Sequence, residues 1–325
     1  MPGIGAFISP SRSLEQSVDR ARKVDSLGYH SLYTTQIAGR DAFIVLAEFA
    51  RATEQVKLGT GVAPIFARTP AAMAQVAATL DEVSGGRMVL GLGVSHRVTV
   101  ENWFGAEITK PVSQMRAYAS AVRAILSGEP PPESEFFPTH FQFMGYPPRP
   151  GLPIYIAALS PNMLRLAGEI GDGVMLWLCD PDYIQRVVVP EVSKGREKAG
   201  KTLEGFDIVA AVPSAVTDDR GATLGAMRQE LVTYASLPFY RAMLEGSGFA
   251  EDIAAFDAGM AAGGVEQAKA GLSERMLDSL AGIGSPDQVR AAVERYREAG
   301  AISPCIGGIP GADFDGALDA VAELL

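Results

Sequence analysis

Histidine is the side chain whose ordinary proton affinity lies closest to neutrality, and this chain has three: His30, His96 and His140. Only His96 ends an apolar run, the stretch "LGLGVSH" at 90–96. There it can transfer a proton or hydrogen-bond a ligand carbonyl; the alternative is a hydrogen-bonded structural histidine. A sister phrase, "LGTGVAP", occupies 58–64 and ends without an ionisable group. The repeated glycines raise the question of a phosphate-cradling loop. Gly91-x-Gly93-x-x-His96 puts histidine where a dinucleotide fingerprint needs its third glycine, and no Gly-Lys-Ser/Thr run of a P-loop is expected in the chain. The glycines therefore call for another explanation: close approach of a ligand or of backbone within a strand.

The elements that would position these residues alternate along the chain. Strands are predicted at 3–9, 30–35, 56–62, 86–94, 152–159, 173–179, 206–216 and 303–309. Helices are predicted at 13–28, 41–53, 69–83, 112–126, 160–171, 182–199, 285–300 and 313–325. Ser13 with Gln16, and Ser285 with Gln288, read as capping boxes, and Thr69-Pro70 as a cap with a first-turn proline. Eight strands, each followed by helical sequence, predict an α/β fold: a (β/α)8 TIM barrel in one domain spanning 1–325. An open doubly wound sheet is the competing architecture. The proline- and aromatic-rich stretch 128–152 reads as an irregular insertion with a short hairpin, and 217–281 as a second, mostly helical insertion. Two similar phrases about 30 residues apart are then neighbouring βα units.

In a barrel, reactive groups sit at the C-terminal ends of strands. That rule selects Gln36, Gly61-Val62-Ala63, Ser95-His96, Ala158-Leu159-Ser160, Cys179-Asp180 and the residues after Ile309. Ser160-Pro161 opens a helix, with Ser160 as its cap, and such a start can hold an anion. Arg68 and Arg97 could pair with anionic ligand groups or be solvated surface charge. Phe66, Trp103 and Phe104 could form an aromatic wall or ordinary packing. Trp177 could face into the barrel or outward, and Glu101 could be an acid or a surface residue.

Composition removes several classes. A net charge of −10 argues against nucleic acid as a partner. No run of about 18 apolar residues predicts a membrane span, and the start "MPGIGAFISPSRS" does not read as a signal peptide. The two cysteines, Cys179 and Cys305, form no C-x-x-C pair, which suggests a reducing, cytoplasmic setting without disulfides. The histidines lack metal-ligand spacing, so no metal site is expected.

Residues 58–96, "LGTGVAPIFARTPAAMAQVAATLDEVSGGRMVLGLGVSH", resemble the luciferase-like monooxygenase superfamily, as do 153–178, "PIYIAALSPNMLRLAGEIGDGVMLWL", and 282–301, "GIGSPDQVRAAVERYREAGA". The nearer likeness is to its coenzyme F420-dependent branch, which includes methylenetetrahydromethanopterin reductase. The resemblance implies a (β/α)8 barrel, commonly a homodimer, with a deazaflavin ring in the barrel mouth. It also implies a non-prolyl cis peptide at Gly61-Val62 behind the ring. Gly61, Val62 and Ala63 would shape the ring floor, and Ser95-His96 would contact the cofactor, with His96 as the proton carrier or a hydrogen-bond partner of the ring. Ala158, Leu159 and Ser160 would lie by the phosphate. Relatives often carry an acid near Gln36; glutamine cannot act as a base, which puts more weight on His96. The implied activity is hydride transfer between F420 and a small organic substrate, with the 217–281 insertion, including Tyr234, Phe239 and Tyr240, over the substrate side. The alternatives are an FMNH2-dependent monooxygenase on the same barrel and, in another class, a non-redox lyase or isomerase.

Overall fold

The computed structural model describes residues 3–9 and 13–325; part of the N-terminal stretch read above as no signal peptide lies outside them. Ten strands follow in chain order: β1 (Gly5–Phe7), β2 (Ser31–Thr34), β3 (Lys57–Thr60), β4 (Ala63–Pro64), β5 (Met88–Gly93), β6 (Ile154–Ala157), β7 (Gly173–Leu176), β8 (Asp207–Val216), β9 (Gly282–Gly284) and β10 (Ser303–Gly308). They pair in parallel around a ring. Cys305 of β10 lies beside both Ala211 of β8 and Gly5 of β1, which closes the circuit. An open sheet would leave two unpaired edges, so the doubly wound alternative is excluded. The fold is a (β/α)8 barrel with helices outside.

Two strands are additions to the eight expected. The Gly61–Val62 peptide bond is cis, as the resemblance implied, and it separates β3 from β4. Past it the chain pairs with β5 again, Ala63 beside Leu92. The three-residue β9, too short to stand out in the sequence, lies along the end of β8, Ser214 beside Gly282.

The helix caps follow the local chemistry. Ser13 accepts from the Gln16 N–H at 3.4 Å, Thr69 caps the helix Pro70–Val83, and Ser285 and Gln288 form a complete capping box. The helix expected at 182–199 spans Pro181–Lys198, with a wider turn at Ile184–Val188. Pro190, inside it, has no N–H to give to the preceding turn, and the wide turn accommodates that gap. The hairpin expected within 128–152 is absent, for these residues contain no strand. Prolines 130–132, 138, 147, 148 and 150 remove ladder donors there. The stretch is held by side chains instead. Phe137 packs edge-on against Tyr118 at 5.0 Å, the Tyr146 hydroxyl donates to the Ala78 carbonyl at 2.9 Å, and Arg149 pairs with the buried Asp81 at 2.7 Å.

The apolar core has two parts. The larger lies between barrel and helices. The smaller fills the barrel with Phe7, Tyr33, Val89, Tyr155, Met175 and Val209, among others, and Val62 and Trp177 pack against it. The barrel is therefore solid inside, and Val62 and Trp177 top the filling.

Candidate active site

The two glycine phrases find their reason where β3 stops. A Cβ on Gly91 would collide with the Thr60 carbonyl and come within 2.6 Å of Met175 Sδ. One on Gly93 would lie 2.6 Å from Val62 Cγ2. Glycine is required because the chain around the cis peptide presses onto β5, not because a phosphate is cradled. The backbone ladder lapses here, and Thr60 bridges the gap. Its hydroxyl donates to the Gly91 carbonyl at 2.7 Å and accepts the Gly91 N–H at 3.0 Å. Thus Val62 is clamped at the base of the barrel mouth.

One stretch does spell the phosphate-loop pattern, Gly195-x-x-x-x-Gly200-Lys201-Thr202, which corrects the expectation of no Gly-Lys-Ser/Thr run. Gly195 lies inside the helix Val189–Lys198, packed so closely on Arg165 that a Cβ would strike its carbonyl. No strand leads into the pattern and no helix opens after it, so it makes no P-loop.

Around Val62 the rim runs through the ends of adjacent strands. Gln36 follows β2, Gly61–Ala63 follows β3, Ser95–His96 follows β5, and Ala158–Ser160 follows β6. Ser95 adopts the left-handed conformation, φ 63°, and turns the chain into the helix Arg97–Trp103. That helix was not foreseen, because His96 stands at its cap position and makes no side-chain cap bond. Burial lowers the His96 pKa, which keeps the imidazole neutral at pH 7, with one donor and one acceptor nitrogen.

Gln36 is fixed by a neighbour. Arg68 donates to its Oε1 at 3.2 Å, pairs with Asp41, and lies over the Phe43 ring at 4.8 Å. Arg68 is thus committed to the protein, as is Arg97, which binds Glu101 at 2.7 Å and the Ile108 carbonyl at 2.9 Å. Ser160 occupies the cap position of the helix Pro161–Ile170, but its side chain makes no cap bond. Its hydroxyl and the first-turn N–H groups are left for another acceptor or donor. The residues after β7 are structural. Burial pushes the Cys179 thiol well up, and Asp180 binds Ser279 and caps Tyr183. No aromatic wall of Phe66 and Trp103 forms, for Phe66 packs on Phe137 at 6.1 Å and Trp103 is exposed.

A second layer lies over the mouth. The helix Arg220–Ala235 and the helix Pro238–Leu244 come from the 217–281 stretch. Tyr240 approaches His96 at 5.9 Å between ring centroids, Tyr234 meets Tyr240 edge-on at 4.8 Å, and Tyr234 reaches Trp177 at 6.1 Å. These rings join the end of β5 to the end of β7 across the opening. Phe239 does not take part; it is exposed. Glu230 stands one turn before Tyr234 on the same helix.

Known proteins share this architecture. The family model described as luciferase-like monooxygenase matches residues 1–303. The 5,10-methylenetetrahydromethanopterin reductase of Archaeoglobus fulgidus is 31% identical over 287 residues, 85% of this chain and 84% of its own. Among solved structures, the coenzyme F420-dependent tetrahydromethanopterin reductase of Methanopyrus kandleri superposes with a TM-score of 0.82 at 23% identity, covering 99% of this chain and 97% of that one. The oxygenating constituent of 3,6-diketocamphane monooxygenase of Pseudomonas putida, solved with FMN, gives 0.69 at 18% identity over 99% and 96%. These two structures attest the fold alone. The family match spans nearly the whole chain, and on it the chain belongs to the luciferase-like monooxygenase family and is an oxidoreductase.

Proposed function

We propose that the protein is an F420-dependent oxidoreductase that moves a hydride between a deazaflavin and a small organic substrate. The observation that carries this reading is the 31% identity, over 85% of the chain, to a methylenetetrahydromethanopterin reductase. The residues present suit such a cofactor. Val62 offers an apolar floor, clamped from below. The uncommitted Ser160 hydroxyl and the N–H groups of its helix suit a phosphate. When bound, a deazaflavin supplies a carbon-centred two-electron donor or acceptor, and the chain supplies orientation and exclusion of water. Gly61, Val62 and Ala63 form the floor. Ser95 and neutral His96 hydrogen-bond the ring edge, and His96 holds or releases the proton that accompanies the hydride. Ala158, Leu159 and Ser160 receive the phosphate side. Gln36, held by Arg68, gives a hydrogen bond and no base. The 217–281 stretch covers the substrate side, and the chain works as a homodimer in the cytoplasm.

The second reading is a monooxygenase using reduced FMN, which the diketocamphane monooxygenase structure with FMN keeps open. Titrating the purified protein with F420 and with FMN, followed by cofactor fluorescence, separates the two. F420 binding without FMN binding is the expected result. FMN binding with oxygen consumption by the reduced flavin supports the second reading, and binding of neither refutes both.

A further inference from the structure

Arg68 reaches three side chains at once. Its guanidinium pairs with Asp41, donates to Gln36 Oε1 at 3.2 Å and lies over the Phe43 ring at 4.8 Å. Asp41 is itself fixed. Its other carboxylate oxygen accepts the Phe43 N–H at 3.0 Å and the Ile44 N–H at 3.3 Å, at the start of the helix Ala42–Ala52. The backbone at Arg68 is held too, since its carbonyl accepts the hydroxyl of the buried Tyr118 at 2.9 Å. The series Asp41–Arg68–Gln36 therefore ties the rim of the barrel to an outer helix.

A guanidinium carries only donors, so the Gln36 atom beside Arg68 is the amide oxygen. Nε2 lies on the other side of the planar amide with two N–H donors, and it makes no hydrogen bond among the described residues. Gln36 is half-buried and stands two residues beyond Thr34, whose carbonyl accepts the Gly61 N–H at 2.9 Å. The chain after β2 thus leaves the barrel beside the Gly61–Val62 floor. On the other side of that floor runs β5, Gly93 beside Pro64, with His96 past its end. Neutral His96 offers one donor and one acceptor nitrogen, whereas the free part of Gln36 offers donors alone. A charged donor on the amide oxygen draws electron density from the nitrogen, which strengthens the outward N–H groups. Asp41 balances the Arg68 charge, so the match is to an oxygen lone pair and not to a net anion.

We propose that Arg68, anchored by Asp41, is a positioning residue that fixes the Gln36 amide with its N–H groups toward the mouth, so that Gln36 donates to a carbonyl oxygen of the cofactor ring and accepts nothing from it. This rests on the hydride-transfer reading above, in which Gln36 meets the cofactor. Arg68 itself touches no ligand; it acts by orienting Gln36. An amide free to turn would present its oxygen as readily as its nitrogen, and that oxygen would repel a ring carbonyl. A glutamate at this position would keep the contact with Arg68 and present no donor.

The test uses the full chain with 15N in its glutamine side-chain amides, and F420 and FMN as probes. The Gln36 amide signal is the one lost in Gln36→Glu. Without a probe, its heteronuclear NOE should be that of a rigid group in the wild type and should fall in Arg68→Met. It should fall less in Arg68→Lys, which restores a donor, and should fall also in Asp41→Asn, which keeps the cap oxygen but weakens the anchor. A mobile amide in the wild type, or an amide as rigid in Arg68→Met and Asp41→Asn as in the wild type, overturns the positioning role. On addition of F420 to the wild type, the Gln36 N–H protons should move downfield. F420 affinity, read by fluorescence, should fall about tenfold in Gln36→Glu, the loss of one donor, while its urea midpoint holds because the contact with Arg68 persists. Unchanged affinity in Gln36→Glu, or F420 binding without the proton shift, overturns the donor role. FMN binding with the shift, and no F420 binding, overturns the hydride reading alone; binding of neither overturns both.

Discussion

Replacing Thr60 with valine removes one hydroxyl and almost no volume. Thr60 is fully buried, and its hydroxyl serves both the carbonyl and the N–H of Gly91 across the break between β3 and β4. Valine would leave both backbone groups in a dry barrel wall without partners. At about 1–3 kcal/mol for each of the two unmet groups, the loss is roughly 2–6 kcal/mol. Thr60→Ser is the control: it keeps the hydroxyl and deletes a buried methyl, worth about 1 kcal/mol. Urea unfolding of the three proteins ranks them, and hydrogen exchange of the Gly91 amide should accelerate in Thr60→Val alone. If Thr60→Val is at least as stable as Thr60→Ser, the hydroxyl does not hold the wall together across the break.

Two further outcomes follow from the geometry. Ser160→Ala should leave thermal stability within about 0.5 kcal/mol, because no cap bond is lost, whereas Thr69→Ala, which deletes a real cap bond, should cost about 1 kcal/mol; equal losses in melting experiments would show that Ser160 caps its helix after all. Acid should destabilise the fold in two steps: burial, then Lys57, lowers the His30 pKa to about 4, and bonding to Arg116, then to Lys198, lowers the Glu169 pKa to about 2. Both groups bind protons more readily unfolded than folded, so stability declines as pH falls, for His30 between 6.5 and about 4, and for Glu169 between 4.5 and about 2. Urea midpoints against pH for His30→Gln and Glu169→Gln should each lose slope in their own window; unchanged profiles would contradict the assignment.

What the sequence disclosed was what local chemistry controls. Thr69, Ser285 and Gln288 could be read as caps because a cap needs only its own turn. The barrel could be read from eight apolar runs at βα spacing, and the rim from the ends of those runs. The break at Gly61–Val62 came from the family resemblance alone, since nothing in "LGTGVAP" distinguishes a strand from a strand with an interruption. The hairpin expected in 128–152 does not form, because Phe137, Tyr146 and Arg149 each find partners on the outer helices and prolines forbid the ladder. Gly195–Thr202 shows the converse, a motif satisfied in letters and denied by the helix that contains it.

The site thus divides physically. Its floor is dictated by backbone: Val62 stands where it does because Thr60, Gly91 and Gly93 leave no other path. The barrel itself is common to an F420-dependent reductase and an FMN-containing monooxygenase. Its cover is dictated by side chains on one helix and the turn after it. Exchanging Tyr234 or Tyr240 alters that cover without touching a strand. In this chain the rim adds a third difference, since Gln36, pinned by Arg68, offers a hydrogen bond where a carboxylate would offer a base. On the hydride-transfer reading proposed above, Gln36 gives no base, and the neutral imidazole of His96 is the group at the rim that holds or releases the proton.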